Sequence, residues 1–127
     1  MAGNLTNYLE NKLIDHFLGT TSYTMPTDVY VALFTVSPGE AGGGTEVTGG
    51  SYARKVATFT AASSGATSND ANIDFTGMPA ATTVAIGIFD ALTSGNMLLY
   101  GTLTTNKTTD AGDTLRIATG DLDISID

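Results

Sequence analysis

The sequence contains no cysteine, no tryptophan and a single histidine, His16. The absence of cysteine excludes disulfide bonds, thiol nucleophiles and thiolate metal sites. A catalytic or metal site built on two histidines is excluded as well, and no Gly-x-Ser-x-Gly motif for a serine nucleophile occurs. These absences predict a protein that is not an enzyme and that holds no cofactor and no metal.

Basic residues and long apolar runs are also scarce. Five Lys and Arg stand against 13 Asp and Glu, which gives a formal net charge of −8. Because proteins bind nucleic acid largely by neutralising phosphates with Lys and Arg, this balance argues against a nucleic-acid partner. The longest apolar runs are about eight residues, whereas a helix needs about 20 to cross a bilayer, so no membrane partner is expected. The N-terminus lacks the features of a signal peptide, which predicts synthesis in the cytoplasm.

Helical periodicity is confined to the N-terminal region. Apolar residues recur at every fourth position from Leu5 to Phe17 and would form a stripe along one side of a helix. Asn4 is suited to cap the start of this helix, and Gly19 is suited to follow its end. The pattern therefore predicts one helix over residues 4–18.

After Pro26 the sequence alternates between β-branched, aromatic and small residues, as is typical of strands. In residues 28–36 both alternating sets are apolar, which predicts a strand buried on two sides. Further strands are predicted at residues 52–60, 72–75, 83–90, 97–104, 114–118 and 122–126. No later segment could supply the crossover helices of a parallel sheet. We therefore expect a single domain, residues 1–127, in which residues 28–126 form a jelly-roll-like or Greek-key antiparallel β-sandwich of about seven or eight strands.

Residues 38–50 form the most distinctive loop of the sequence, with six glycines. So many glycines predict a flexible loop and argue against a packed element. A phosphate-binding loop is disfavoured because no Lys-Ser/Thr pair and no helix follow the glycines, and because Glu40 and Glu46 would repel phosphate. Two interpretations stay open: an arm that becomes ordered against a neighbouring subunit, and a plain hairpin-like connection.

The C-terminus alternates between polar and aliphatic residues. Four polar side chains would share one face of a strand: Asp121, Asp123, Ser125 and Asp127. Calcium prefers such oxygen ligands, but carboxylates along one extended strand lie about 6.5–7 Å apart, too far to close on one ion without bending. A solvated strand face is favoured, and calcium binding stays open.

Two further polar features call for structural interpretations. His16 is expected to have a partly exposed structural role on the helix. Arg54 and Lys55 are neighbours in the sequence, but successive strand positions point to opposite faces, so they form no basic patch. One of them could pair with an acidic residue across a strand or subunit boundary, for less than about 1 kcal/mol if the pair is exposed.

Several segments resemble a family of small virion proteins of tailed bacteriophages. The segments GGGTEVTGGSYARK (residues 42–55), GIFDA (87–91) and GNMLLYG (95–101) carry most of the resemblance, which spans nearly the whole chain. Members of this family are described as capsid cement (decoration) proteins or as tail-fibre-like proteins. The resemblance implies a jelly-roll-like β-domain that oligomerises on the outer surface of the head and bridges neighbouring major capsid subunits. It carries no catalytic residues.

On this basis we expect a capsid cement protein located on the outer capsid surface of the virion. Its partners would be the major capsid protein and further copies of itself, with a trimer preferred by analogy with other cement proteins. The alternative is a small tail, fibre or receptor-binding module of the virion. The residues predicted to make subunit or capsid contacts are Leu5, Tyr8, Pro38, Glu40, Gly43, Glu46, Val47 and Arg54.

Overall fold

The computed structural model describes residues 4–126, which contain one helix and ten strands. The elements in chain order are Asn4–Leu5 (β1), Asn7–Phe17 (α1), Val29–Val36 (β2), Thr45–Glu46 (β3), Lys55–Ala57 (β4), Ala66–Ser68 (β5), Ile73–Met78 (β6), Ala81–Phe89 (β7), Met97–Thr109 (β8), Asp113–Ile117 (β9) and Asp123–Ser125 (β10). The predicted fold class, mainly β with one N-terminal helix, is confirmed.

The strands form one large antiparallel sheet and two strand pairs. The large sheet has the order β1-β8-β7-β2-β3, and β4 also pairs with β2. The two antiparallel pairs are β10 with β5 and β6 with β9. Residues from the large sheet and from both pairs share one apolar core, which includes Leu33, Ile86, Phe75, Leu115 and Leu122. This arrangement is consistent with the predicted β-sandwich.

Strand β2 is buried on both faces, as its two apolar sets predict. Val31 and Leu33 point into the core between the sheets. Ala32 and Phe34 point to the opposite face, where they pack with Met97 in a second, smaller cluster. Because this second face is covered only partly, it leaves room for the cleft described below.

The predicted start of the helix at residue 4 is wrong. Asn4 and Leu5 instead form β1, which pairs antiparallel with Tyr100 and Leu99 at the edge of the large sheet. Thr6, rather than Asn4, caps the helix and accepts a hydrogen bond from the backbone N–H of Leu9 (3.3 Å). An unpaired strand edge offers backbone partners that helical periodicity cannot reveal.

The end of the helix agrees closely with the sequence analysis. Helix α1 ends at Phe17, Leu18 is its C-cap, and Gly19 follows with a φ of 76°. Glycine adopts this left-handed conformation without the steric cost that a Cβ atom would add.

Three short strands were not predicted, and most predicted strands have somewhat different bounds, with two large differences. Strands β1, β3 and β5 have two or three residues each, too few for an alternating pattern. Strand β8 continues to Thr109 instead of ending at Thr104, and β4 covers only residues 55–57 of the predicted 52–60. Strands this short are defined by the partner that hydrogen-bonds them, so local sequence carries little signal for them.

The glycine-rich segment 38–50 contains a packed element, contrary to the prediction. Strand β3 pairs with the end of β2, so that Glu46 lies opposite Phe34. Val47, the next residue, donates its backbone N–H to the carbonyl of Leu33 (2.9 Å), and its side chain is buried in the main core. The glycines shape the turns on either side of this short strand rather than preventing it.

Candidate functional site

A cleft of about 540 Å³ opens between the start of α1 and the glycine-rich segment. Its floor is apolar and consists of Phe34, Phe89 and Met97, on the face of the large sheet that is turned away from the main core. The rings of Phe34 and Phe89 are stacked, with their centroids 6.3 Å apart and their planes 9° from parallel. Such stacked pairs are stabilised beyond the burial of their surface, so the floor is a fixed platform.

Thr6 anchors the helical wall of the cleft. Its buried hydroxyl donates to the carbonyl of Met97 (2.7 Å), and its backbone N–H donates to the carbonyl of Leu98 (2.9 Å). The same hydroxyl accepts the N–H of Leu9 as the helix cap. One side chain thus joins the first turn of α1 to β8, which places Tyr8 at the wall of the cleft.

The opposite wall is tied directly to the helix. The backbone N–H of Asn7 donates to the carbonyl of Glu40 (3.0 Å). Within this wall, Gly39 and Gly42 exchange two backbone hydrogen bonds of 2.9 Å each. The glycine-rich segment is therefore hydrogen-bonded within the chain at both of these points.

Gly44 closes the turn next to β3 and tolerates no side chain. Its φ is +73°, and a Cβ atom there would lie 2.6 Å from the carbonyl oxygen of Val36 and 2.7 Å from the nitrogen of Pro38. Both contacts are with backbone, so they cannot be relieved by a rotamer change. This close approach explains why a glycine is needed here, and it places Pro38 behind the wall of the cleft.

A partly buried ion pair supports the cleft at its base. The guanidinium of Arg54 binds Glu46 in a bidentate manner, with Nη2–Oε1 at 2.9 Å and Nε–Oε2 at 3.1 Å. Its Nη1 donates to the carbonyls of Ala91 (3.0 Å) and Ser94 (2.8 Å). The guanidinium carbon lies 3.7 Å from the centroid of the Phe89 ring, a cation–π contact. Only 9% of the Arg54 side chain is exposed.

Tyr52 completes this polar network. Its hydroxyl donates to Glu46 Oε2 (2.7 Å) and accepts the backbone N–H of Leu33 (2.9 Å). Burial is the main cause that raises the pKa of the Tyr52 hydroxyl, and the neighbouring Glu46 carboxylate raises it further. The hydroxyl therefore stays protonated and keeps its donor role. Glu46 is held by one cation and one hydroxyl, so its charge is balanced by neighbouring groups of the chain.

The structure brings together four of the eight residues that the sequence analysis singled out, since Tyr8, Glu40, Gly43 and Glu46 all line the cleft. The other four support it from outside. Leu5 lies in β1, Pro38 lies behind Gly44, Val47 lies in the main core, and Arg54 holds Glu46.

Sequence reasoning missed the floor of the cleft and its anchor. Phe89 and Met97 are neighbours because of the register of β7 against β8. Nothing in the local sequence of either strand indicates that the two side chains share an open face. Thr6 has the residue type of a helix cap, which is the one signal that could have identified it.

His16 and the C-terminal acidic residues lie away from the cleft lining. His16 is exposed, and its Nδ1 accepts the backbone N–H of Tyr23 (3.1 Å), which folds the segment after α1 back onto the helix. Strand β10 pairs with β5, while Leu122 points into the core. Asp127 lies outside the described residues. Among residues 4–126, no three His, Asp or Glu side chains are grouped so that they could hold a metal ion.

The helix found within residues 4–126 is too short to span a membrane. Comparison with curated proteins finds no match to this chain. Comparison with protein families finds one that matches residues 4–125, almost the whole chain, and that is described as Podophage GP4 fiber I protein gp80. A match of this extent confirms a structural protein of the phage virion. The chain belongs to the Podophage GP4 fiber I protein gp80 family.

Proposed function

We propose that this protein is a structural module of a phage tail fibre and acts by contact with other proteins rather than by catalysis. The observation that carries the proposal is the match to a fibre protein family over residues 4–125. The alternative stated in the sequence analysis, a tail or fibre module, thus becomes the main reading. Cement binding to the major capsid protein becomes the second.

The geometry of the cleft supports a role in protein contact. Its walls are tied by backbone hydrogen bonds, and its floor is a stacked aromatic pair, so the surface is formed before any partner arrives. A preformed surface binds at a lower entropic cost than one that must become ordered. The half-buried side chain of Tyr8 and the exposed side chain of Glu40 line this surface, where a partner can reach them.

The proposal is tested by locating the protein in the particle. Gold-labelled antibodies against the purified chain, applied to intact virions, are expected to mark the tail fibres in electron micrographs. Virions from a phage that lacks the gene serve as the control for antibody specificity, and they are expected to have incomplete fibres. Labelling of the outer head surface would refute the fibre role and would support cement binding to the major capsid protein.

Self-association is a separate part of the proposal, with a trimer as the expected oligomer. Sedimentation equilibrium of the purified protein should give a mass three times that of the 13.0 kDa chain. Tyr8→Ala, at the wall of the cleft, is expected to shift the equilibrium towards monomer if the cleft takes part in the contact. A monomer at all concentrations tested would contradict self-association and leave the fibre assignment to the labelling experiment.

A further inference from the structure

Helix α1 has apolar side chains on two adjoining sides, one buried and one exposed. Leu9 is buried against the rest of the chain, and Leu13, one turn later, is half-buried on the same side. Ile14, Phe17 and Leu18 are 54%, 73% and 78% exposed. Residues three and four positions apart lie next to one another on a helix, so these three side chains form one apolar patch on the outer side. We call them the outer patch of α1.

Within residues 4–126 the outer patch stays mostly exposed, although the ring of Phe17 contacts that of His16 with the centroids 6.1 Å apart. The segment after the helix folds back through the bond from Tyr23 to His16, and His16 lies on the side of the helix that faces away from Ile14. The outer patch therefore buries much less of its surface within the single chain than Leu9 does. Three large apolar side chains grouped on one exposed helix face are typical of a helix that binds in a groove of another protein.

The charges around the outer patch indicate which kind of groove it fits. Glu10 lies one turn before Ile14 on the same side of the helix and is accompanied there by the uncharged Asn7 and Asn11. Lys12 is on the other side, where its Nζ lies 5.6 Å from the centroid of the Tyr8 ring. A contact between two such patches would bring the Glu10 carboxylates of both copies to the same interface, so local repulsion would oppose it.

We propose that the outer patch of α1 docks into an apolar groove with a Lys- or Arg-rich rim on another protein of the virion. Ile14, Phe17 and Leu18 enter the groove, and Glu10 pairs with the basic rim. This inference rests on the proposed function, since it takes the partner to be part of the same particle. It goes beyond that function by naming the surface that attaches the protein and the chemistry of the surface that receives it.

The test introduces substitutions into the phage gene and measures the copies of this protein per purified virion by quantitative mass spectrometry. Phe17→Ser combined with Leu18→Ser is expected to lower occupancy at least tenfold, because each buried apolar side chain contributes about tenfold or more in affinity. Val56→Ser is the matched control: Val56 is 49% exposed on β4, and its replacement should leave occupancy unchanged. Thermal unfolding of the purified variants checks that both substitutions leave the fold intact, as expected for exposed side chains.

A charge variant tests the basic rim. Glu10→Lys, which keeps helix propensity, is expected to release the protein from virions at a lower salt concentration than the wild-type protein. The control variant Val56→Ser should show the wild-type salt dependence. Tighter retention of Glu10→Lys would overturn the assignment of a basic rim.

The possible outcomes separate this inference from the proposed function. Absence of the wild-type protein from virions refutes the proposed function itself. Presence of the wild-type protein together with unchanged occupancy of the Phe17→Ser, Leu18→Ser variant overturns the inference alone. If sedimentation instead shows an oligomer that the double substitution dissociates, the outer patch binds a second copy, and the assignment of a different partner is wrong.

Discussion

Replacement of Arg54 by alanine is expected to destabilise the protein strongly, although Arg54 lies outside the main apolar core. The substitution removes two bonds to Glu46, two bonds to the carbonyls of Ala91 and Ser94, and the contact with the Phe89 ring. It also leaves the Glu46 carboxylate, whose side chain is 27% exposed, without its cation.

The magnitude follows from the burial of the pair. Removal of one partner from a buried ion pair costs about 3–5 kcal/mol, because the other charge stays desolvated and uncompensated. The partial exposure of Glu46 and the hydroxyl of Tyr52, which still donates to it, both reduce this loss, so we expect the lower end of that range, about 3 kcal/mol. For a domain of this size, that corresponds to a fall in Tm of roughly 10 °C.

Arg116 provides a matched control for this experiment. It also binds a carboxylate in a bidentate manner, with Nε and Nη2 at 2.7 and 3.0 Å from the oxygens of Asp74. That pair is exposed, and exposed pairs contribute less than about 1 kcal/mol. Arg116→Ala should therefore change the free energy of unfolding far less than Arg54→Ala.

Urea unfolding followed by circular dichroism measures both variants against the wild-type protein. The expected result is a large loss for Arg54→Ala and a small one for Arg116→Ala, with similar m-values. Equal losses in the two variants would refute the argument that burial, rather than ion-pair geometry, makes Arg54 important.

Three further predictions each concern a single residue. Gly44→Ala should lower the free energy of unfolding in urea more than Gly43→Ala does. Both glycines have a positive φ, but only at Gly44 would a new Cβ atom lie 2.6 Å from a backbone oxygen. Equal losses in the two variants would contradict this. Burial raises the pKa of the Tyr52 hydroxyl above its ordinary value of 10.0. The stabilisation that the protonated hydroxyl provides is therefore complete below pH 10 and is lost progressively as the pH rises above 10. Tyr52→Phe should therefore give a flatter decline in unfolding free energy between pH 9 and 11, and a decline as steep as that of the wild type would count against this reasoning. The buried side chain of Asn69 makes three hydrogen bonds of 2.9 Å, so Asn69→Ala should lower the free energy of unfolding by about 3 kcal/mol. Asn72 is exposed, and Asn72→Ala should lower it by less than about 1 kcal/mol. Similar losses in the two variants would argue against the role of burial.

Part of the candidate site could be predicted from residue types alone. Glu40 and Glu46 stood out within a glycine-rich segment, and one of Arg54 and Lys55 was expected to be able to pair with an acidic residue across a strand or subunit boundary. The pairing is present, and its burial makes it much stronger than the exposed pair that the sequence analysis considered. Burial of an ion pair depends on which segments cover it, and residues 91–94 do so from about 40 positions away.

The two ends of helix α1 show the same difference between what local sequence predicts and what distant contacts decide. Its end could be predicted because Gly19 acts locally through its backbone conformation. Its start could not, because Asn4 and Leu5 leave the helical pattern to pair with β8, some 95 positions later. The exposure of Phe17 could not be predicted either. An apolar stripe indicates that a side chain favours burial, but it does not indicate whether the same chain or another molecule buries it.

The sequence by itself determined the features that depend on near neighbours: a mainly β chain, one helix, a long central strand with two apolar faces, and an acidic balance that disfavours nucleic acid. Tertiary structure decided the rest. The cleft joins Tyr8, Glu40 and Phe89, which come together only through the strand order of the large sheet and the bond from Asn7 to Glu40. Local patterns reflect the periodicity of a helix or a strand, whereas a surface that can bind a partner depends on which distant segments the register of the sheet brings together.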